Sequence, residues 1–257
     1  MKKKILLIAS VVVIMAMLTI GSTLAWFTDN DSATNVFTVG SVEIEQIEQQ
    51  RVIDANGNKT AQLEEFADNK VLMPVVNFNH PDADVNYQDK IVTVKSTGKN
   101  PAYVFTHIAV PAVLDPILVL DVNVGETDDL WVPAAVPTTD ITLDNGMAYK
   151  VYSYVYTEAL STDPQSTEDD VTQALLNGVY MKAEVDCQDT TDAQGNPVKQ
   201  FCTKKADGTW QFYDYDVNST VEILVATQGC QSQGFGSAQE AYDTAFGAIP
   251  NFNEINP

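Results

Sequence analysis

The chain has little with which to do acid–base or metal chemistry, since only two histidines, His80 and His107, stand among its 257 residues. A zinc peptidase needs ligands such as two histidines one helical turn apart with an adjacent glutamate. Here the histidines lie 27 positions apart, one in a loop-forming stretch and one in a strand-forming stretch, and no HExxH occurs. The G-x-S-x-G turn that presents a serine nucleophile is also missing. The residues therefore assign no catalytic centre and no cofactor. Basic residues are scarce as well: 14 Lys and Arg face 35 Asp and Glu, a formal charge of −21. Such a chain repels nucleic acid and anionic membranes. The acidity serves solvation in the plainest reading, with cation binding and salt-sensitive self-assembly as sharper ones. There is no low-complexity segment and no repeat of fixed period.

The one long apolar run is at the start. Lys2, Lys3 and Lys4 precede Ile5 to Ile20, which carries no charge, and Thr23-Leu24-Ala25 supplies the small residues a signal peptidase requires. This reads as a signal peptide cut between Ala25 and Trp26. A retained anchor competes with it, because about 20 apolar residues cross a bilayer. The polar, acidic sequence that follows lacks the basic flank of a stop-transfer segment, which favours cleavage. On that reading the membrane is met only as a precursor. Loss of three lysines moves the charge from −21 to −24 over the 232 residues that remain.

The run Gly21-Ser22-Thr23-Leu24-Ala25-Trp26-Phe27-Thr28-Asp29, followed by Ala33-Thr34-Asn35-Val36-Phe37-Thr38-Val39-Gly40-Ser41-Val42-Glu43-Ile44, resembles the export signal and mature N-terminus of substrates of SipW-type signal peptidases. Those substrates are the TasA and camelysin (CalY) family of secreted Gram-positive proteins. Val92 to Val104 and Val221 to Gln228 are similar to further strands of that group, and the stretches between carry no resemblance. The resemblance implies a jelly-roll-like sandwich with short helices, a SipW-type peptidase as processing partner, and the chain itself as assembly partner. It implies a secreted subunit of an extracellular fibre or biofilm matrix. Camelysins are described as metalloproteases, but the histidine spacing here does not bring that activity with it.

In the fibre reading, Trp26 to about Val39 adds as a β-strand to the next subunit. Main-chain hydrogen bonds give affinity, and apolar side chains such as Trp26, Phe27, Val36, Phe37 and Val39 fill pockets. The same residues also suit an ordinary first strand paired in its own sheet. A monomeric cell-surface adhesion or ligand-binding module is the second reading of the whole chain.

Further along, alternating apolar and polar residues predict strands. Lys90 to Lys95 and Ala102 to Val110 flank Thr97-Gly98-Lys99-Asn100 and predict a hairpin; Asp140 to Leu143 and Met147 to Tyr156 flank Asp144-Asn145-Gly146 and predict a second. Strands are expected at Val179 to Val185, Val198 to Thr203, Thr209 to Tyr213 and Val217 to Thr227. Ser166 is positioned to cap a helix over Thr167 to Asn177, and Ser237 with Glu240 has capping-box spacing for a helix through Phe246. Closely spaced strands without βαβ alternation predict a mainly antiparallel all-β sandwich, jelly-roll-like or Greek-key, with two short helices. The expected organisation is a signal peptide over 1–25, an exposed strand segment over 26–40 and one sandwich domain over 41–257.

Two smaller sites follow from spacing. Cys187 and Cys202 are symmetric about Gln194-Gly195-Asn196-Pro197, so a hairpin there would set them opposite each other as a disulfide, leaving Cys230 free or linked between chains. Asp54, Asn56, Asn58 and Glu65 fall at positions 1, 3, 5 and 12 of an EF-hand-like calcium loop, although Lys59 stands where that loop wants glycine. An ordinary Asn-Gly turn is the competing reading.

Overall fold

The computed structural model describes residues 28–31, 42–68, 70–77, 79–163, 169–192 and 195–255. They form a β-sandwich. One five-stranded sheet runs in the order β1 (Thr28–Asp31), β13 (Leu224–Gln231), β5 (Ala102–Pro111), β8 (Ala148–Tyr156), β7 (Trp131–Thr142). The facing sheet runs β3 (Lys59–Glu65), β2 (Ile44–Ile53), β4 (Gln88–Ser96), β9 (Leu176–Met181), β6 (Leu118–Val122). Between β9 and β13 the chain inserts a third sheet, β10 (Val185–Thr191), β11 (Pro197–Lys204) and β12 (Trp210–Asp216). Pairing of neighbouring strands is antiparallel throughout the three sheets. Strands β4 to β7 step from sheet to sheet, and the last strand slots between β1 and β5, which is the winding of a jelly roll.

Alternation explains the layers. In β5 the even residues Val104, Ile108 and Val110 face the second sheet and join one core with Val92, Val94, Trp131, Leu176 and Val225. The odd residues Phe105, His107 and Ala109 face outward yet are also buried, because helix α1 (Ala238–Ala245) and the turn of helix α2 (Phe252–Ile255) lie over them. Phe105 meets the Tyr242 ring at 5.1 Å, and Phe252 packs with Ala109, Tyr149 and Val151. Burial on both faces is why β5 reads as a nearly continuous apolar run.

Several expectations are corrected. Lys90 to Lys95 and Ala102 to Val110 do not pair as a hairpin, since β4 and β5 lie in different sheets. The Thr97 and Gly98 N–H groups donate to Glu43 O at 2.8 and 3.1 Å, and the chain between the strands becomes a crossover. The expected helix over Thr167 to Asn177 is absent among the described residues from 169 on. Val171 instead bridges Lys95, and β9 begins at Leu176. Leu175 and Leu176 are needed in the core, and tertiary burial overrides the capping signal. Val217 to Ile223 is not strand, and β13 begins at Leu224. The helix at Ser237 forms as expected: Ser237 Oγ accepts from Glu240 N at 3.2 Å, and Glu240 Oε2 accepts from Gly236 N at 2.9 Å.

Candidate assembly edge

The strand next to the predicted cleavage point is the outermost of its sheet. Thr28, Asp29, Asn30 and Asp31 pair antiparallel with Cys230, Gly229, Gln228 and Thr227. Among the described residues β1 is four residues long, and chain positions 32–41 separate it from Val42. Trp26, Phe27, Val36, Phe37 and Val39, the expected assembly residues, lie outside the described residues, as does Ala25. For Thr28–Asp31 the pairing is within the chain's own sheet, which is the ordinary-strand alternative for those four positions.

The strand that receives β1 is held from three sides. Val225 to Cys230 are all buried. Toward the second sheet, Thr227 Oγ1 donates to Gln46 Oε1 at 2.7 Å and lies 3.3 Å from Thr106 Oγ1. Gly229 sits against Ile44: a Cβ added there would stand 3.1 Å from two Ile44 carbons. Toward the helices, Gln228 Oε1 lies 3.0 Å from His107 Nε2, whose other ring nitrogen is 2.9 Å from Ser153 Oγ. A serine beside a histidine is the outline of a nucleophile and its base. Here both are sealed, with His107 0% and Ser153 1% exposed under the Tyr242 ring. Burial drives the imidazole toward its neutral form and lowers its pKa to about 4, against a smaller upward pull from Gln228. The trio is a polar tie across β8, β5 and β13, and no local sequence signal announces it, because its members are 46 and 121 positions apart. His80 stands apart on an exposed turn before a 3-10 turn, Pro81–Ala83.

A second tie was equally invisible in the sequence. Asp89, whose side chain is 5% exposed, accepts from Arg51 N, Nε and Nη2 at 3.1, 3.0 and 2.7 Å and from Lys59 Nζ at 3.1 Å. It pins β4 to β2 and β3. Burial pushes its carboxyl up, but the Arg51 and Lys59 contacts outweigh this and hold it below the usual carboxylate range.

The disulfide and the calcium loop are both corrected. All three cysteines are free thiols. Cys187 pairs with Phe201, and Cys202 pairs with Asp186, so the two cysteines point to opposite faces. The hairpin closes through Asp192 N to Asn196 O at 3.0 Å and Gly195 N to Asp192 O at 3.0 Å, with Gly195 at φ +85°. Its centre therefore falls on position 194 instead of between 194 and 195, and one residue of offset flips a side chain. Cys230 is buried under α1, and desolvation pushes its thiol up to about 12. Asp54 Oδ1 accepts from Asn56 N and Asn58 N, both at 2.8 Å, which is an Asx-type turn. Glu65 pairs with Gln49 at the far end of β3, ~20 Å up the strand from that turn, beyond the reach of a shared cation. No group of three or more metal-ligating side chains occurs among the described residues.

One recess among the described residues is a cleft of about 690 Å³. It opens beside the chain leading into β13 and is lined by apolar Phe66, Val221 and Ile223 together with polar Asp68, Lys70 and Glu222. Lys90 lines it too, ion-paired to Glu48 and 4.3 Å from the Phe66 ring centre. No protein-family model matches the chain, and neither the curated proteins nor the solved structures contain a match.

Proposed function

We propose that this chain is a secreted structural subunit of an extracellular fibre or matrix, assembled when the N-terminal strand of one copy takes the place beside β13 of the next. The observation that carries the reading is the position of β1: four residues, at a sheet edge, directly after the predicted cleavage point, and held by a single neighbouring strand. An edge place beside a buried strand is filled by main-chain hydrogen bonds, so the same segment from another copy fits it equally well. Exchange of an identical element is a low-cost route to association, and a head-to-tail exchange does not close on itself. The acidic surface supplies the complementary restraint, since like charge keeps subunits dispersed until a specific contact forms.

Signal cleavage is the assembly switch in this scheme. A precursor that keeps residues 1–25 holds its first strand next to a membrane-inserted run, whereas cleavage frees it. Purified precursor in detergent and purified mature chain, compared by sedimentation after detergent removal and by electron microscopy, test this. Filaments are expected from the mature chain alone. Filaments of the same length and number from the precursor would remove the switch.

A further inference from the structure

We infer that the outward face of the third sheet is a stacking platform for a neutral, β-linked polysaccharide strand. This face, on β10, β11 and β12, is separate from the β1 edge. The sheet's other face is committed to the fold: Val185, Phe201 and Tyr215 are buried members of the main core, and Tyr213 packs against it. Alternation sends Trp210 and Phe212 outward, two positions apart on the edge strand β12. An antiparallel sheet with one packed face ordinarily turns polar residues to solvent on the other. Here the two large rings stand in one row, 37% and 36% exposed.

Polar groups border the rings. Lys204 lies opposite Trp210, with its Nζ 6.0 Å from the ring centre. Cys202 lies opposite Phe212, and Asp186 on β10 lies opposite Cys202. Asp214 continues the row of Trp210 and Phe212, and its Oδ1 accepts from Gln200 Nε2 at 2.9 Å. Gln200 is buried, so its amide is held in place while Asp214 stays exposed. The row from Trp210 to Asp214 is ~13 Å long, since every second strand residue advances ~7 Å.

This chemistry selects a sugar chain. A pyranose has a face of C–H groups that stacks on an aromatic ring and a rim of hydroxyls that bonds to carboxylates and amides. Two rings in line, followed by a carboxylate and a fixed amide, meet both needs. A β-linked strand is extended and flat, so successive sugars lie along one row, whereas an α-linked chain coils away from it. Charge narrows the choice further. Asp186 and Asp214 repel polymers of phosphate, uronate or sulfate, as does the net charge of −21. Lys204 already occupies the cation position beside Trp210, which disfavours a basic peptide. A second copy of the same face would bring like carboxylates together. An apolar protein surface would bury Asp214 and Lys204 without partners. A neutral glycan incurs none of these penalties.

Calorimetric titration of the full mature chain with soluble hexasaccharides tests the platform whether or not subunits have assembled. Hexamers of β-1,4-linked glucose or N-acetylglucosamine are expected to bind, and the α-1,4-linked glucose hexamer and a polyuronate are not. Trp210→Ala is expected to weaken binding about tenfold, the worth of one stacked ring, and Trp210→Tyr to retain it. Because the ring is exposed, the urea midpoint should stay at the unsubstituted value in both variants. Phe212→Ala is expected to show the same loss, so the outcome does not hang on the folding of one variant. Binding of neither β-linked hexamer, or undiminished binding by both alanine variants, would overturn the platform. Tighter binding of the polyuronate would overturn the neutral ligand. Self-association that Trp210→Ala abolishes, with no heat from any sugar, would make the face a contact between copies instead.

Discussion

His107 is the residue whose surroundings make the sharpest demand. Among the described residues its partners are Ser153, Gln228 and the Tyr242 ring, none of them a carboxylate. Its folded pKa of about 4 lies below the ordinary value of 6.5, so the unfolded chain binds the proton first as pH falls. Stability is therefore retained above about pH 6.5 and falls between there and about pH 4, by roughly 3 kcal/mol from this residue. Chemical denaturation at pH 7, 5.5 and 4.5 is expected to show the loss, and His107→Gln should flatten it over that window. A midpoint independent of pH from 7 to 4.5 would mean that the ring is not held neutral. Asp89 makes a different demand, because removing it strands two cations. Arg51 is partly exposed and retains some hydration, so Asp89→Ala is expected to cost about 2 kcal/mol, less than a fully buried pair. Arg51→Ala should cost less than Asp89→Ala, since Lys59 still pairs with the carboxylate; equal costs in urea titrations would argue against the three-way tie.

Elements show how far local pattern carries and where it stops. Turns were legible because their chemistry is local. Hairpins closing at Gly57, Gly146, Gly195 and Gly208 all place glycine at φ between +83° and +86°, two positions before the next strand begins. Each bonds the same way, as Leu143 N to Met147 O and Gly146 N to Leu143 O illustrate. The capping of α1 was legible for the same reason. What alternation does not contain is the partner of a strand: Val92 and Val104 each look half-buried, and nothing in either says that they face each other across the core in place of pairing. The cysteine offset is of the same kind, a single residue in a turn deciding which face a thiol takes. Helix α1 adds a prediction at this scale. It seals Cys230, so the Cys230 thiol should resist a maleimide or aromatic disulfide reagent in the native protein while Cys187, half-exposed, reacts. Ser237→Ala removes the cap at about 1 kcal/mol and is expected to speed Cys230 labelling several-fold by loosening the helix. Unchanged labelling would show that packing of Tyr242 and Phe246, and not the cap, holds α1 down.

At the scale of the whole molecule, the jelly-roll winding brings the first and last strands of the sandwich side by side. The fold thus joins the segment that follows the predicted cleavage point to a buried strand of the same sheet. That adjacency was not legible in the sequence, where the two strands lie 196 positions apart from Thr28 to Leu224. The expectation of an export signal, by contrast, rests on basic, apolar and small-residue parts that are contiguous in the sequence. The link between them, an N-terminal edge strand that one copy lends to the next, is the central proposal. Its most direct measurement compares the mature chain with one beginning after Gly40, by electron microscopy and sedimentation under matched pH and salt. Filaments from the mature chain and dispersed, folded monomer from the shortened one are the expected result. Equal filaments from both would contradict strand exchange, and dispersed monomer from both would favour a cell-surface binding module.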